Sequence, residues 1–375
     1  MDEFRARIRG WLTEHLDPEL KGRGGPGREH EAFDERRAWE RKLGAAGWNG
    51  LGWPAAHGGR GATIEQQVVF HEEYARADAP ARVSHLGQEL LGPALIAFGS
   101  EAQQRRFLPK ILAVDELWCQ GYSEPGAGSD LAAISTKARL DQDEWVITGQ
   151  KVWTSLAHVA DWCFALVRTE PGSKRHHGLS FLLVPMHQDG VDVRPIRQLT
   201  GTAEFNEVFF TEARTAKDNV VGAPGDGWRV AMGLLGFERG VATLGQQVGF
   251  RRELEALTAE AETSGAATDP HVAEALARAW VGLEVMQAQA LRTLGEDGPS
   301  TASVAKLVWS GWHRKLGELA MLVRGPAGLV APDDLDRWQR LFLFSRADTI
   351  YGGSDEIQRT VIAERVLGLP KEARP

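Results

Sequence analysis

The chain has 375 residues, 43% hydrophobic and 25% charged, which suits a soluble globular protein of two or three structural domains. A formal net charge of −8 argues against the basic face that a nucleic-acid partner would require. The charged start, Met1 to Leu20, lacks a secretory apolar core, and no run reaches the ~18 apolar residues needed to span a bilayer.

The first third reads as helical. Phe4, Ile8, Trp11, Leu12 and Leu16 recur at helical spacing, predicting a helix over Glu3 to Leu16. A Gly-rich loop, Lys21 to Gly27, precedes a second helix over Glu31 to Ala46. Residues Gly47 to Gly61 are too rich in Gly and Pro for regular structure. Helical pattern resumes over Ile64 to Ala75, Gly87 to Phe98 and Glu101 to Ala113. Near Trp118 the period changes. Trp145 to Thr148, Trp162 to Thr169, Leu179 to Val184, Val191 to Ile196 and Phe205 to Thr211 are short apolar runs separated by turns, the pattern of a small antiparallel sheet or barrel. From Trp228 the helical period returns. Val272, Leu276, Ala279, Leu283, Met286 and Ala290 mark a buried face on a helix over His271 to Leu294, after a surface loop at residues 263–270. Further helices are expected over Thr301 to Val323, Leu335 to Phe344 and Ser354 to Val366. This order of helices, strands and helices is an α+β chain. Its two cysteines, Cys119 and Cys163, form no metal-ligand pattern and no disulfide framework, so no metal and a cytoplasmic setting are expected.

One stretch carries the chemistry. Trp118-Cys119-Gln120-Gly121-Tyr122-Ser123-Glu124-Pro125-Gly126-Ala127-Gly128-Ser129-Asp130 places small residues, hydroxyls and backbone N–H groups at a turn. Gly149-Gln150-Lys151-Val152-Trp153-Thr154-Ser155 then brings one large aromatic to the edge of a strand. Such a turn can hydrogen-bond a ring edge and a pyrophosphate while an indole covers a ring face, which suits a flat, anionic cofactor. It is not a nucleotide-binding G-x-G-x-x-G fingerprint, because Leu131 stands where the third glycine would be.

These two segments, in this order, resemble the flavin-binding middle domain of the acyl-CoA dehydrogenase family. The resemblance extends from Trp53-Pro54-Ala55-Ala56-His57-Gly58-Gly59-Arg60-Gly61 through Phe205-Asn206-Glu207-Val208-Phe209-Phe210 and Gly225-Asp226-Gly227-Trp228 to Ile350-Tyr351-Gly352-Gly353-Ser354-Asp355-Glu356-Ile357-Gln358-Arg359. It implies an N-terminal helical domain (1–117), a middle β domain (118–217) and a C-terminal four-helix bundle (218–375). It also implies FAD as cofactor, with contacts from Gln120, Tyr122, Ser123, Gly128, Ser129, Trp153, Thr154, Ser155, Ser354, Asp355 and Glu356. Ser129 and Arg239 would touch the acyl-CoA, and electrons would pass to an electron-transfer flavoprotein.

The reaction implied is oxidation of an acyl thioester to its 2-enoyl form, with a carboxylate removing the α-proton and flavin N5 accepting the β-hydride. The commonest position of that base in the family is occupied here by Gly352, which has no side chain. Glu238, in Leu235-Gly236-Phe237-Glu238-Arg239-Gly240, occupies the alternative helix position, and apolar neighbours favour a raised pKa. Against this, a Glu-Arg pair on a helix is usually solvated. The Arg-x-x-Phe-Gly motif of simple homotetramers is missing from Leu257 to Pro270, and Leu322 and Gly325-Pro326-Ala327-Gly328 replace the usual adenine-pocket residues. Those departures resemble branches in which two different subunits share flavin sites, or enzymes of bulky thioesters. A non-catalytic subunit that completes a partner's FAD site, and an enzyme acting on carrier-protein-bound acyl groups, are the alternatives.

Overall fold

The structure, a computed structural model, describes residues 1–237, 242–293, 298–331 and 333–371. It divides into two compact units, Met1–Gln67 with Ala77–Arg239, and Val68–Arg76 with Gly240–Pro375.

The first unit opens with α1 (Asp2–His15) and α2 (Phe33–Ala45), and α3 (Ile64–Arg76) is divided between the units. A π-type turn at Leu86–Leu91 leads into α4 (Gly92–Phe98), so the expected single helix over 87–98 is wound in two ways. Helix α5 (Glu101–Ala113) begins where expected because Ser-x-x-Gln closes a reciprocal cap. Ser100 Oγ accepts from the Gln103 amide N–H (3.2 Å), and Gln103 Oε1 accepts from the Ser100 amide (3.0 Å).

Eight strands follow: β1 (Trp118–Gly121), β2 (Lys137–Asp141), β3 (Glu144–Ser155), β4 (Trp162–Arg168), β5 (Leu179–Pro185), β6 (Val191–Ile196), β7 (Phe205–Ala216) and β8 (Val220–Val221). Their order is β6-β7-β3-β2-β4-β5-β8, with β1 paired to β4. Most pairs are antiparallel, as expected, but β1–β4 and the single β2–β4 pair are parallel. The β2–β3 hairpin is inserted between β1 and β4, and such a crossover permits parallel neighbours.

Burial of both faces explains why β4 and β5 are apolar along most of their length, with Ser180 and Arg168 the polar exceptions. Phe164, Leu166, Leu179, Phe181 and Leu183 face a core shared with Leu91, Leu95, Phe107, Leu108, Ile111, Val230 and Leu234. Cys163, Ala165, Val167, Leu182 and Val184 face a second core with Ile147, Val208, Phe210 and Ala213. Cys119 and Cys163 are register partners, buried and free of disulfide, and burial pushes the Cys119 thiol up. Helix α6 (Gly227–Phe237) packs on this sheet through Val230, Ala231 and Leu234.

The second unit carries α7 (Ala242–Ser264), α8 (Pro270–Thr293), α9 (Gly298–Arg324), α10 (Arg337–Phe344) and α11 (Asp355–Val361). Its core joins Leu254 and Leu257 of α7, Val272, Leu276, Leu283 and Met286 of α8, and Leu316, Leu319 and Val323 of α9. The face expected on α8 is the buried one, with Ala279 only partly covered. The expected 263–270 loop is shortened by a 3₁₀ turn at Ala266–Thr268. Among the described residues, no helix is long and apolar enough to cross a membrane, and no three His, Cys, Asp or Glu side chains could hold a metal ion.

Gly227 sets the closeness of α6 to β5. A Cβ there would stand 2.4–2.7 Å from the Ser180 backbone. Gly227→Ala is expected to lower the urea-unfolding midpoint, at a cost of about 1–3 kcal/mol, the usual range for overpacking.

Candidate active site

The site is built around a buried ion pair. Lys151, in the middle of β3, is fully buried, and its ammonium donates to the Leu166 carbonyl (2.7 Å), Glu124 Oε1 (2.8 Å) and the Tyr122 carbonyl (3.1 Å). Glu124 also accepts from the Ser135 amide (2.6 Å), the Ser135 hydroxyl (2.8 Å) and the Thr136 amide (2.9 Å). Burial alone would raise the Glu124 pKa; the Lys151 charge and these donors instead bring it down to about 2. Burial pushes the Lys151 pKa down, with Glu124 opposing.

This pair fastens the 122–128 turn to β3. Glu124 and Ala127 exchange two backbone hydrogen bonds (3.1 and 2.9 Å), and the Val152 amide donates to the Ser123 carbonyl (2.9 Å). At the tip, a Cβ added to Gly126 or Gly128 would meet nothing within 4 Å, and Ser129 is exposed. Gln120 is half-buried on β1 opposite Phe164, and Ser123 is half-buried. Tyr122 is a core residue, its ring edge-on to Phe164 (6.1 Å) and Phe181 (6.2 Å).

Strand alternation would put Trp153 on the buried side with Lys151. A register shift between Lys151 and Thr154 reverses this: Trp153 takes φ +59° and is 58% exposed, while Thr154 is fully buried. A non-glycine residue in that region costs on the order of 1–3 kcal/mol, so its surroundings must hold it. Asn206 Nδ2 does so, donating to the Thr154 carbonyl (3.1 Å) from a fully buried position on β7. Ser155 is half-buried. The Thr154 hydroxyl and Asn206 Oδ1 are buried with no hydrogen-bond partner among the described residues. Arg168 secures the next turn, donating to the Ala132 (3.2 Å) and Ile134 (3.3 Å) carbonyls and to the His177 carbonyl (2.9 Å).

In the second unit, Ser354 caps α11, its hydroxyl accepting from the Ile357 amide (3.4 Å). Asp355 Oδ1 accepts from Ser310 (3.1 Å) and Lys306 (3.3 Å), and Glu356 is exposed. Gly352 and Gly353 both have left-handed backbones, with φ of +65° and +85°. Glu238 and Arg239 lie outside the described residues, immediately after the last residue of α6.

Comparison with known proteins decides what this arrangement belongs to. The chain matches the N-terminal domain of acyl-CoA dehydrogenase over residues 1–115, the middle domain over 119–213 and the C-terminal domain over 225–367. It belongs to the acyl-CoA dehydrogenase family. It is 64% identical over 381 residues to acyl-CoA dehydrogenase IpdE1 of Mycobacterium tuberculosis (strain ATCC 25618 / H37Rv), covering 100% of this chain and 99% of the relative. Among solved structures it is similar to the Tcur3481-Tcur3483 steroid ACAD, with TM-score 0.87, 30% identity and coverage of 99% and 98% of the two chains. It is also similar to the ChsE4-ChsE5 complex from Mycobacterium tuberculosis, with TM-score 0.84, 31% identity and the same coverage.

As an acyl-CoA dehydrogenase, the chain is an oxidoreductase, and its cofactor is FAD. The middle-domain residues fit that group. An outward indole, an open glycine turn and a buried hydroxyl without a partner are what a flat, polar-edged ring system requires. Glu124, Lys151 and Asn206 were not read as site residues from sequence. Lys151 carried a signal, a lysine just ahead of Val152 and Trp153 in the motif, whereas Asn206 became visible only through its bond across the bulge.

Lys151→Met strands Glu124 and is expected to destabilise the protein by about 3–5 kcal/mol in urea unfolding. Adding Glu124→Gln should recover part of that loss. Because Glu124 is depressed, its contribution is complete above its unfolded pKa, near 4.5, and is lost as pH falls through about 2. Acid unfolding of the double variant should therefore show a shallower slope below pH 4.5 than the parent.

Proposed function

We propose that this chain catalyses α,β-dehydrogenation of an acyl-CoA with a bulky, ring-bearing acyl group, and that Glu238 takes the α-proton. The observation that carries this reading is the Tyr351-Gly352-Gly353 turn. Gly352 offers no carboxylate, and its φ of +65° disfavours any residue with a Cβ. The base must then come from elsewhere, and Glu238 follows α6 at the alternative family position. A glycine in place of a glutamate also leaves room beside the acyl chain. A steroid ACAD among the structural relatives supports a ring-bearing substrate.

In this reading the chain is organised as 1–117, 118–217 and 218–375, with the middle segment holding the flavin. Trp153 shields one ring face from water, Thr154 and Ser155 supply hydroxyls at its edge, and Gln120, Ser123, Gly128 and Ser129 line the turn. Tyr122 serves through its backbone, since its ring lies in the core. Ser354, Asp355 and Glu356 belong to the adenine end, Ser129 and Arg239 to the CoA. Bound FAD supplies the acceptor for the β-hydride, and an electron-transfer flavoprotein is the onward acceptor.

A second reading concerns assembly. The ChsE4-ChsE5 relative is a complex of two named proteins, and this chain lacks Arg-x-x-Phe-Gly over residues 257–270. Both support a hetero-oligomer in which a partner completes the FAD site.

In the FAD-loaded assembly, Glu238→Gln should retain FAD while anaerobic flavin bleaching by the thioester slows by roughly 10²–10⁴, the usual contribution of a general base. Bleaching at the parental rate would remove Glu238 from the role. Adding Gly352→Glu should not restore the rate. A panel of CoA thioesters should favour ring-bearing over straight-chain acyl groups, and equal turnover would overturn the substrate reading. Purified alone, the chain is expected to be colourless and to turn yellow on mixing with its partner subunit; yellow protein without a partner would support a homo-oligomer.

A further inference from the structure

The second unit holds a buried ionic cluster that no step above uses. His313, on α9, is 7% exposed, and its ring stacks on Phe250 of α7 with centroids 4.3 Å apart. Its Nδ1 lies 2.6 Å from Asp348 Oδ2, and its Nε2 lies 2.9 Å from Glu253 Oε2. A neutral imidazole has one N–H, so with a carboxylate on each nitrogen it would turn a lone pair towards an anion. The imidazolium satisfies both. Asp348 is 1% exposed; its other oxygen accepts from the Tyr351 hydroxyl (2.8 Å), and its backbone carbonyl accepts from Lys306 Nζ (2.8 Å).

The chain of contacts therefore runs Glu253–His313–Asp348–Tyr351 and ends beside Gly352 and Gly353. That turn has two successive left-handed residues, and it is tied at both ends: Gln358 Nε2 donates to the Gly352 (3.0 Å) and Gly353 (3.4 Å) carbonyls on one side, and the Tyr351 hydroxyl is tied to Asp348 on the other. We propose that His313, as the imidazolium, is a positioning residue that holds Asp348 and Tyr351 so that the Tyr351–Ser354 turn is fixed beside the acyl thioester. This rests on the reading of that turn as part of the thioester site.

Other charges around the cluster do not replace His313. Lys306, on the same helix, is shared between the Asp348 carbonyl and Asp355, while Glu284 of α8 is paired with Arg251 on the solvent side. Burial pushes the His313 pKa down, but the Glu253 charge and the Asp348 hydrogen bond outweigh it and bring it up to about 9. A raised pKa stabilises the folded state fully below the unfolded value, near 6.5, and that contribution is lost as pH rises through about 9. The turn is thus held at neutral pH and released at alkaline pH.

The test is amide hydrogen exchange on the FAD-loaded protein at pH 7 to 10, corrected for intrinsic rates, with KM for the thioester measured in parallel. Protection of residues 350–354 should fall at least tenfold through about pH 9 in the parent, while β4 and β5 stay protected. His313→Gln, which hydrogen-bonds but does not ionise, should be weakly protected at every pH and raise KM more than it lowers kcat. If that variant does not fold, Tyr351→Phe leaves the His313 pairs intact and should likewise lose the alkaline step. A parental protection profile in His313→Gln, or an undiminished step in Tyr351→Phe, overturns the proposal. A step in exchange with KM unchanged instead overturns the reading of the turn as thioester-facing.

Discussion

The Lys151–Glu124 pair is the constraint on which the candidate flavin site depends. A fully buried ammonium is costly unless every donor is used, and three oxygens from two segments use them: the 122–124 turn supplies two and β4 the third. The pair thereby fixes the distance between the glycine turn and β3. The bulge that turns Trp153 outward begins immediately after Lys151, so the position of the indole follows from the anchoring of the lysine. Removing one partner leaves an unpaired charge, which is why turn and strand are not independent elements of the fold.

Two of the buried ionic arrangements differ in kind. At the candidate site of the first unit, Lys151 meets one carboxylate, and backbone carbonyls complete its shell. In the second, a histidine between two carboxylates and a lysine shared between a carbonyl and Asp355 make a linked cluster. The linked cluster responds to pH at its histidine, which is brought up to about 9, whereas Glu124 responds only as pH falls through about 2. The adjoining segments inherit those sensitivities.

Much of this was legible in the sequence because local chemistry and tertiary role agreed. Ser100-Glu101-Ala102-Gln103 specifies its own helix start, and α8 displays its buried face at helical spacing. Strands β4 and β5 were found because both faces are apolar. Strand β2 was missed because alternating Lys137, Arg139 and Asp141 reads as polar turn, and β1 because its four residues merge into the motif that follows. The ends of β3 and β7 were underestimated, since their later residues are polar and paired only across the bulge. Tyr122 shows what a motif leaves out: its ring packs in the core against Phe164, a long-range contact that the motif does not encode. Partners such as Asn206 and His313 are fixed by long-range contacts that no sequence period encodes.

The cysteines have a practical consequence. The chain has two, both fully buried, and Cys119 has its pKa raised by burial, which removes the thiolate on which alkylation and disulfide exchange depend. A single cysteine placed on an exposed loop would then be the one readily addressable thiol. Spectroscopic labels could be attached there without first deleting native residues, and the sheet that carries the site would keep its packing.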